Sequence, residues 1–377
     1  MTSFARCALA FALAGLALAT SAAPLQVRSL TLKPGADAGQ LEPADAGWAD
    51  GSVKMPFVEP ASPVAARINE ALYLALGMVA PQKPGASFTP PAEQLPHGTA
   101  SQDFNVARND GRLLVIVLSA EGCGAYCENY DTAYNFDART GWLIGLQDLV
   151  QPAALEALGR RIAKESRRRY AEQIKTLRQE LAAARKRKAK ADDIEDLEQR
   201  IELNQGCLGG EGGLRNAADV VRYAGLSLAA PGLTLTVGRC SNHAMRALDD
   251  VGEIIVTVPP AELKPLLTAY GRAVVIDEGE AGPPAQPFGQ LLRGKVGQAA
   301  ITLRLERPYA DGSVSGHYYY DRYRKLIPLS GKREGDTLTL TETIDGQQAS
   351  FRLTLRGTTL SGQWQGSGRT LPVSLDW

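Results

Sequence analysis

The chain is poor in the residues that most enzymes use. It has three histidines, His97, His243 and His317, in 377 residues, and aromatic residues make up 6% of it. No H-E-x-x-H or H-x-H pair occurs, which removes the usual zinc-hydrolase pattern. No G-x-S-x-G occurs either, so the nucleophile elbow of the α/β-hydrolases is absent. Gly209–Gly213 lacks the Lys-Ser/Thr ending of a phosphate-binding loop. Charge of one sign is also missing: 41 Lys and Arg balance 41 Asp and Glu. A chain with zero formal charge offers no bulk attraction to nucleic acid. No apolar run reaches the roughly 20 residues that a membrane-spanning helix needs.

What is present begins at the N-terminus. Arg6 precedes an apolar run, Cys7 to Ala19, and Thr20, Ser21, Ala22 and Ala23 follow it. A basic start, a short apolar stretch and a small-residue exit predict a secretory signal peptide over 1–23, cleaved after Ala22 or Ala23. The expected destination is the periplasm or the exterior. Of five cysteines, removal of Cys7 leaves four: Cys123, Cys127, Cys207 and Cys240. Four cysteines in an exported chain predict two disulfides, with three possible connectivities. We favour Cys123–Cys127, which flank a hairpin-like Gly-Ala-Tyr, and Cys207–Cys240. Zinc is the rival, but C-x3-C has neither a second close pair nor an adjacent histidine. No metal or other cofactor is expected.

Some 350 mature residues suit two domains better than one. Residues 24–276 predict an α+β unit. Leu25–Leu32 and Val53–Val58 read as strands, and Pro63 opens a helix to about Gly77. A proline-rich loop follows over 80–100. Asp103–Arg108, Arg112–Ser119 and Tyr130–Asp137 read as antiparallel strands, with Asn109-Asp110-Gly111 as a turn. Strands are again expected at Ser227–Leu228, Leu233–Val237 and Glu253–Val258, then a short helix at Ala261–Ala269. Residues 277–289 have linker composition. Residues 290–377 alternate in about seven short runs separated by Asp-Gly and Gly-Asp turns, which predicts a small meander barrel or sandwich.

Residues 153–204 stand apart. Leu155, Leu158, Ile162, Ile174, Leu177 and Leu181 share one helix face. Ile194, Leu197 and Ile201 repeat the pattern after Asp192-Asp193, a good N-cap pair. Two helices folded back as an inserted hairpin are therefore expected. Residues 160–190 hold thirteen Lys or Arg against three Glu, while 192–202 hold six acids against one Arg. That face either makes cross-helix ion pairs in solvent or docks an anionic partner.

Two candidate sites emerge. Tyr318, Tyr320, Tyr323 and Trp364 form a candidate ligand face, as aromatics do at carbohydrate and protein interfaces. Strand alternation puts Tyr318 and Tyr320 on one side and Tyr319 on the other, so at least one side should be core. His243 and Arg246, beside Cys240, form a candidate polar site. Ser315-Gly316 and Ser361-Gly362-Gln363-Trp364 look alike, each placing glycine two or so residues before an aromatic, as at a strand start.

Several segments resemble a bacterial extracytoplasmic domain, DUF3298, over roughly 50–271. They are Val53–Val58 with Ala66-Arg-Ile-Asn-Glu70, then Gly124-Ala-Tyr126. Tyr134-Asn-Phe-Asp-Ala-Arg-Thr-Gly141 and Leu146-Gln-Asp-Leu149 follow, and Pro231–Leu235 and Val256–Pro265 close the series. The domain accompanies peptidoglycan deacetylases and occurs in a lysozyme-binding anti-sigma factor. Tyr126 stands where that family usually has histidine. The resemblance implies a non-catalytic protein of the cell envelope that binds peptidoglycan or an envelope protein. Lysozyme is an alternative partner, and a cell-wall hydrolase using His243 is an alternative activity.

Overall fold

A computed structural model describes residues 23–35, 51–91, 94, 98–123, 127–210, 223–309, 311–344 and 346–377. The expected signal segment lies outside them except for Ala23, as do His97 and Gly124-Ala-Tyr126. The fold is α+β: small antiparallel sheets with a helical hairpin, then a closed barrel of eight strands.

Strands β1 (Gln26–Leu32), β2 (Lys54–Glu59) and β3 (Ser87–Phe88) form the first sheet, in the order β2-β1-β3. Helix α1 (Pro63–Ala75) starts with Pro63 at its first turn, and the Ser62 hydroxyl accepts from the Ala65 N–H at 3.1 Å. Both are favoured helix-start chemistry. Its buried Asn69 fastens to β2, exchanging hydrogen bonds with the Val58 N–H and C=O. The pair β3 was not expected, because the prolines around it hide any strand pattern.

The central sheet is β4 (Thr99–Asn109), β5 (Leu113–Cys123), β6 (Cys127–Asp137) and β7 (Trp142–Leu143), in sequence order. Its strands run longer than the apolar pattern indicates, because β5 and β6 continue as a two-stranded ribbon to the facing pair Cys123 and Cys127. Strand β5 is covered on both faces, which explains its unbroken run Leu113–Leu118. Leu113 and Val115 point to one core, Leu114, Ile116 and Leu118 to the other. Alternate residues of a strand must face opposite ways, so a strand buried on both sides has no polar positions to spare.

Helix α2 (Leu146–Leu149) is a single turn. Helix α3 (Pro152–Lys186) runs unbroken for 35 residues, and α4 (Ala191–Leu208) returns antiparallel to it. Lys190 occupies the N-cap position of α4, and Asp192 and Asp193 fall in its first turn. They complement the helix dipole there rather than cap it. Ala154, Leu158 and Ile162 of α3 join the main core, whereas Leu177, Ala184 and Leu197 form a separate small cluster farther out. The outer half of the hairpin therefore packs only on itself.

Strands β8 (Gly225–Ser227), β9 (Leu233–Val237) and β10 (Ile254–Val258) form a third sheet, in the order β10-β9-β8. The expected helix at 261–269 divides instead. Helix α5 (Pro260–Leu263) ends at a 3-10 turn containing Pro265, and a separate helix α6 (Ala269–Val275) is capped by Thr268. Pro265 lacks the N–H that an uninterrupted helix would use.

The barrel strands are β11 (Leu291–Val296), β12 (Ala299–Leu305), β13 (Ser313–Tyr320), β14 (Ile327–Glu334), β15 (Thr337–Ile344), β16 (Gln347–Arg356), β17 (Thr359–Gly366) and β18 (Arg369–Asp376). Each pairs with the next, and β11 pairs with β18 to close the ring. Gly316 and Gly362 fall in mid-strand, not at strand starts. A Cβ on them would lie 2.4 Å from the Arg304 carbonyl oxygen and 2.0 Å from that of Arg352. The repeated Ser-Gly thus marks close approach of neighbouring strands in a small, strongly curved barrel.

Candidate functional site

The barrel docks on the first unit along two sides of very different character. On one side, Leu291 and Tyr319 are buried in the same apolar cluster as α1, β1 and β2. The Arg324 guanidinium lies over the Tyr319 ring at 4.8 Å and donates to the Ala80 carbonyl at 2.7 Å. Arg293 pairs with Glu70 at 2.5 Å.

On the other side the two units part around a cavity of about 850 Å³. One wall is Ala133–Asn135 of β6, Leu143–Gln147 and the first turn of α3; the other comes from Arg304–Tyr309 and Ser315 of the barrel. That volume falls within the range of small-molecule sites. Asp148, 2% exposed, ties together two of the residues that line the cavity, Gly145 and Arg307. Its carboxylate accepts from the Gly145 N–H and from Arg307 Nη2, both at 2.8 Å, and from Gln286 Nε2 at 3.3 Å. One carboxylate of the first unit therefore holds both the linker and the barrel. Gly145 leaves the room for this, since a Cβ there would meet Arg307 at 2.8 Å.

Arg304, on β12, and Glu306, just past its end, alternate with Leu303 and Leu305, so they line the cavity while the leucines fill the barrel. Arg304 bonds the Glu306 carboxylate through Nη1. Its Nε is buried and has no partner among the described residues. Tyr134 faces this pair, and burial pushes its hydroxyl pKa up to about 12, with Arg304 working against the shift. His317 pairs with Arg304 across β12 and β13; burial lowers its pKa and Glu306 partly opposes this. Tyr223 and Tyr309 line the mouth and are largely exposed.

Most of the expected aromatic face is inside the barrel. Tyr318 is fully buried, and its hydroxyl donates to the carboxylate of Glu342, itself buried. Trp364 Nε1 donates to the same carboxylate at 3.0 Å. Tyr320 stacks edge-on against Tyr318 at 5.5 Å, and Tyr323, 70% exposed, against Tyr320 at 6.5 Å. Two rings thus donate to one buried acid, a third packs on them, and Tyr323 alone of the four is exposed. Tyr319 is buried too, on the outer side, so both faces of β13 are core.

The second expected site is a surface tie. Arg246 donates to the Cys127 carbonyl at 3.3 Å and approaches Glu128 at 3.7 Å, where Arg239 also pairs at 3.0 Å. His243 begins a 3-10 turn, His243–Leu248; its side chain lies outside what the structure describes. Cys123 and Cys127 are bonded to each other, as are Cys207 and Cys240, the favoured pairings. Glu121 comes within 4.8 Å of the first pair, whose sulfurs are already committed to one another. The second pair ties the end of α4 to the loop after β9, where Tyr170 of α3 reaches Asp249 and the Cys240 N–H.

The cavity residues Arg304, Glu306 and Arg307 escaped the sequence reading. The one available signal was a charged pair, Arg304 and Glu306, at alternate positions around the end of a strand whose intervening positions, Ile301, Leu303 and Leu305, are all apolar. Tyr134 and Asp148 lay within the segments that carry the DUF3298 resemblance. Their neighbours there act as structural ties: Asn135 bonds the Leu226 carbonyl and the Leu228 N–H, and Asp137 takes Arg139 and Tyr270.

No family model matches the chain, and no curated protein matches it. Among solved structures, it is similar to a member of the DUF3298 family from Bacteroides fragilis. The two are 12% identical with a TM-score of 0.37, over 66% of this chain and 96% of that one. At that level the likeness says nothing about activity. Among the described residues, no helix is long and apolar enough to cross a membrane.

Proposed function

We propose that this chain is a non-catalytic binding protein of the cell envelope, periplasmic or secreted, whose ligand seats between the barrel and the first unit. The observation that carries this is Arg304: a buried Nε with no partner among the described residues, in the wall of a cavity built by both units. A buried donor left unsatisfied costs about 1–3 kcal/mol, a deficit that a ligand acceptor removes. Apolar side chains (Leu143, Ile144, Leu155) and tyrosine rings surround it, a mixture that suits peptide-bearing wall fragments or a loop of another envelope protein. The nearby carboxylates are each held by an arginine: Glu156 by Arg160, Glu306 by Arg304, Asp148 by Arg307. That arrangement supports holding a ligand rather than moving protons. The two disulfides suit an oxidising compartment.

Sedimentation with purified peptidoglycan, and capture of partners from an envelope extract with lysozyme as a separate arm, test the reading. The native chain is expected to retain at least one of these. Ser315→Trp, which places a large ring in the cavity wall, and Arg304→Gln should abolish retention. Failure of the native chain in every arm, or unchanged retention by both variants, would sink it.

A further inference from the structure

The helical hairpin carries a feature that the cleft does not use. Along α3, positions 164, 167, 171, 175, 178, 182 and 186 recur every three or four residues and so face one way. They are Lys164, Arg167, Ala171, Lys175, Arg178, Ala182 and Lys186. No acid interrupts this stripe, and the two gaps in it are alanine. All five cations are exposed, and among the described residues none makes an ion pair. The other cations of the helix are neutralised. Arg160 pairs with Glu156, Arg168 with Glu165 and Glu172, Arg169 with Glu165, and Arg185 with Glu198. Arg161 turns toward the body and pairs with Glu262. Of the cross-helix ion pairs expected, a single one occurs among the described residues, Arg185–Glu198. The acids of α4 do not reach the stripe, because α4 packs on the opposite flank through Leu177, Ala184 and Leu197.

Lys164 to Lys186 spans about 33 Å at 1.5 Å per residue. The stripe lies on one face of an unbroken 35-residue helix, whose surface is a cylinder rather than a groove, and it carries no exposed large apolar or aromatic side chain. A polymer strand gains from a groove and from rings to stack on, and neither is offered. A flat anionic surface needs neither and engages every charge of a straight row at once.

We infer that the α3 stripe docks the protein, peripherally and without insertion, on an anionic phospholipid surface. Each cation held near such a leaflet raises binding by a factor of about five. The whole chain has zero formal charge, so this attraction depends on the local row rather than on bulk charge. The inference is independent of the cleft's ligand.

The test is sedimentation of the purified chain with phosphatidylcholine vesicles that contain phosphatidylglycerol, against vesicles of phosphatidylcholine alone. Binding is expected to the first only and should vanish in about 1 M salt, where screening acts over roughly 3 Å. The variant Lys164→Gln/Arg167→Gln/Lys175→Gln/Arg178→Gln should bind about a hundredfold or more weakly, with helix content by circular dichroism unchanged. Removing four cations elsewhere (Lys295→Gln/Arg322→Gln/Lys325→Gln/Lys332→Gln) should leave most of the binding. No binding to the anionic vesicles overturns the inference. So does equal loss in the two variants, or binding to linear polyphosphate with none to vesicles.

Discussion

The two sides of the junction between the barrel and the first unit solve the same problem in opposite ways. Beside α1, the barrel continues the apolar core: Tyr319 and Leu291 are buried with Leu72, Tyr73 and Phe136 in one cluster. Beside α2, the contact is polar and incomplete, with Asp148 and Arg307 bridging the gap and a cavity left open above them. The first side is built to hold, and the second holds only enough to keep a shaped space. Rigid apolar packing transmits position, so the closed side fixes the geometry that the open side presents.

The largest effect is expected on the closed side. Tyr319→Ala should cost about 3–5 kcal/mol by the measure of large aromatic truncations in cores, read as a lower denaturation midpoint in urea. Tyr319→Phe should cost far less. If Tyr319→Ala were nearly neutral, the apolar side would not be what joins the units.

Next comes the polar bridge. Asp148→Ala leaves Arg307, Gln286 and the Gly145 N–H without their shared acceptor. Arg307 is partly exposed, so solvent recovers some of the loss, and about 1–3 kcal/mol is expected. The variant should also weaken ligand retention by letting the cavity walls drift. A stability loss as large as that of Tyr319→Ala would erase the distinction between the two sides.

The smallest effect concerns pH on the open side. Burial lowers the pKa of His317 below its ordinary value of 6.5. The unfolded chain therefore takes up a proton first as pH falls, so folded stability is full above about pH 6.5 and declines below it. Arg304 adds to this direction and Glu306 opposes it. His317→Gln should flatten the acid limb of the stability profile slightly. An unchanged profile between pH 5 and 7 (about the range in which histidine titrates) would show that His317 stays solvated.

Local chemistry made much of the fold legible. Ser62-Pro63 marks the start of α1, and Asp110-Gly111 forms the turn it should, with the Asp110 carboxylate accepting from the N–H groups of Arg112 and Leu113. The hairpin helices follow from three- and four-residue spacing. Strand β14 has Pro328 and Gly331 in its interior, which interrupt any alternating pattern, yet a Cβ at Gly331 would lie 2.0 Å from the Thr339 carbonyl oxygen. Its irregularity is a requirement of the curved barrel, which no isolated segment displays.

The candidate site was less legible, and the aromatic cluster shows why. Tyr318, Tyr320 and Trp364 looked like a ligand face because their partner, Glu342, is 22 or more residues distant in sequence from the nearest of them on a separate strand. Arg304 looked like an ordinary surface cation for the converse reason: what buries it belongs to the other unit.

By itself the sequence determined the class of fold, the hairpin and its stripe of positive charge, and the cysteine pairings we favoured. Those depend on periodicity and on residues that act within a few positions of one another, except Cys207–Cys240, which spans 33 positions and follows once Cys123 and Cys127 are paired. Tertiary structure alone decided which tyrosines are core, that one side of the junction is sealed, and that the other encloses a cavity with Arg304 in its wall. Burial is a property of whatever packs on a residue, and here that comes from separate strands and helices, 24 positions away for Tyr318 and Glu342 and 159 for Asp148 and Arg307.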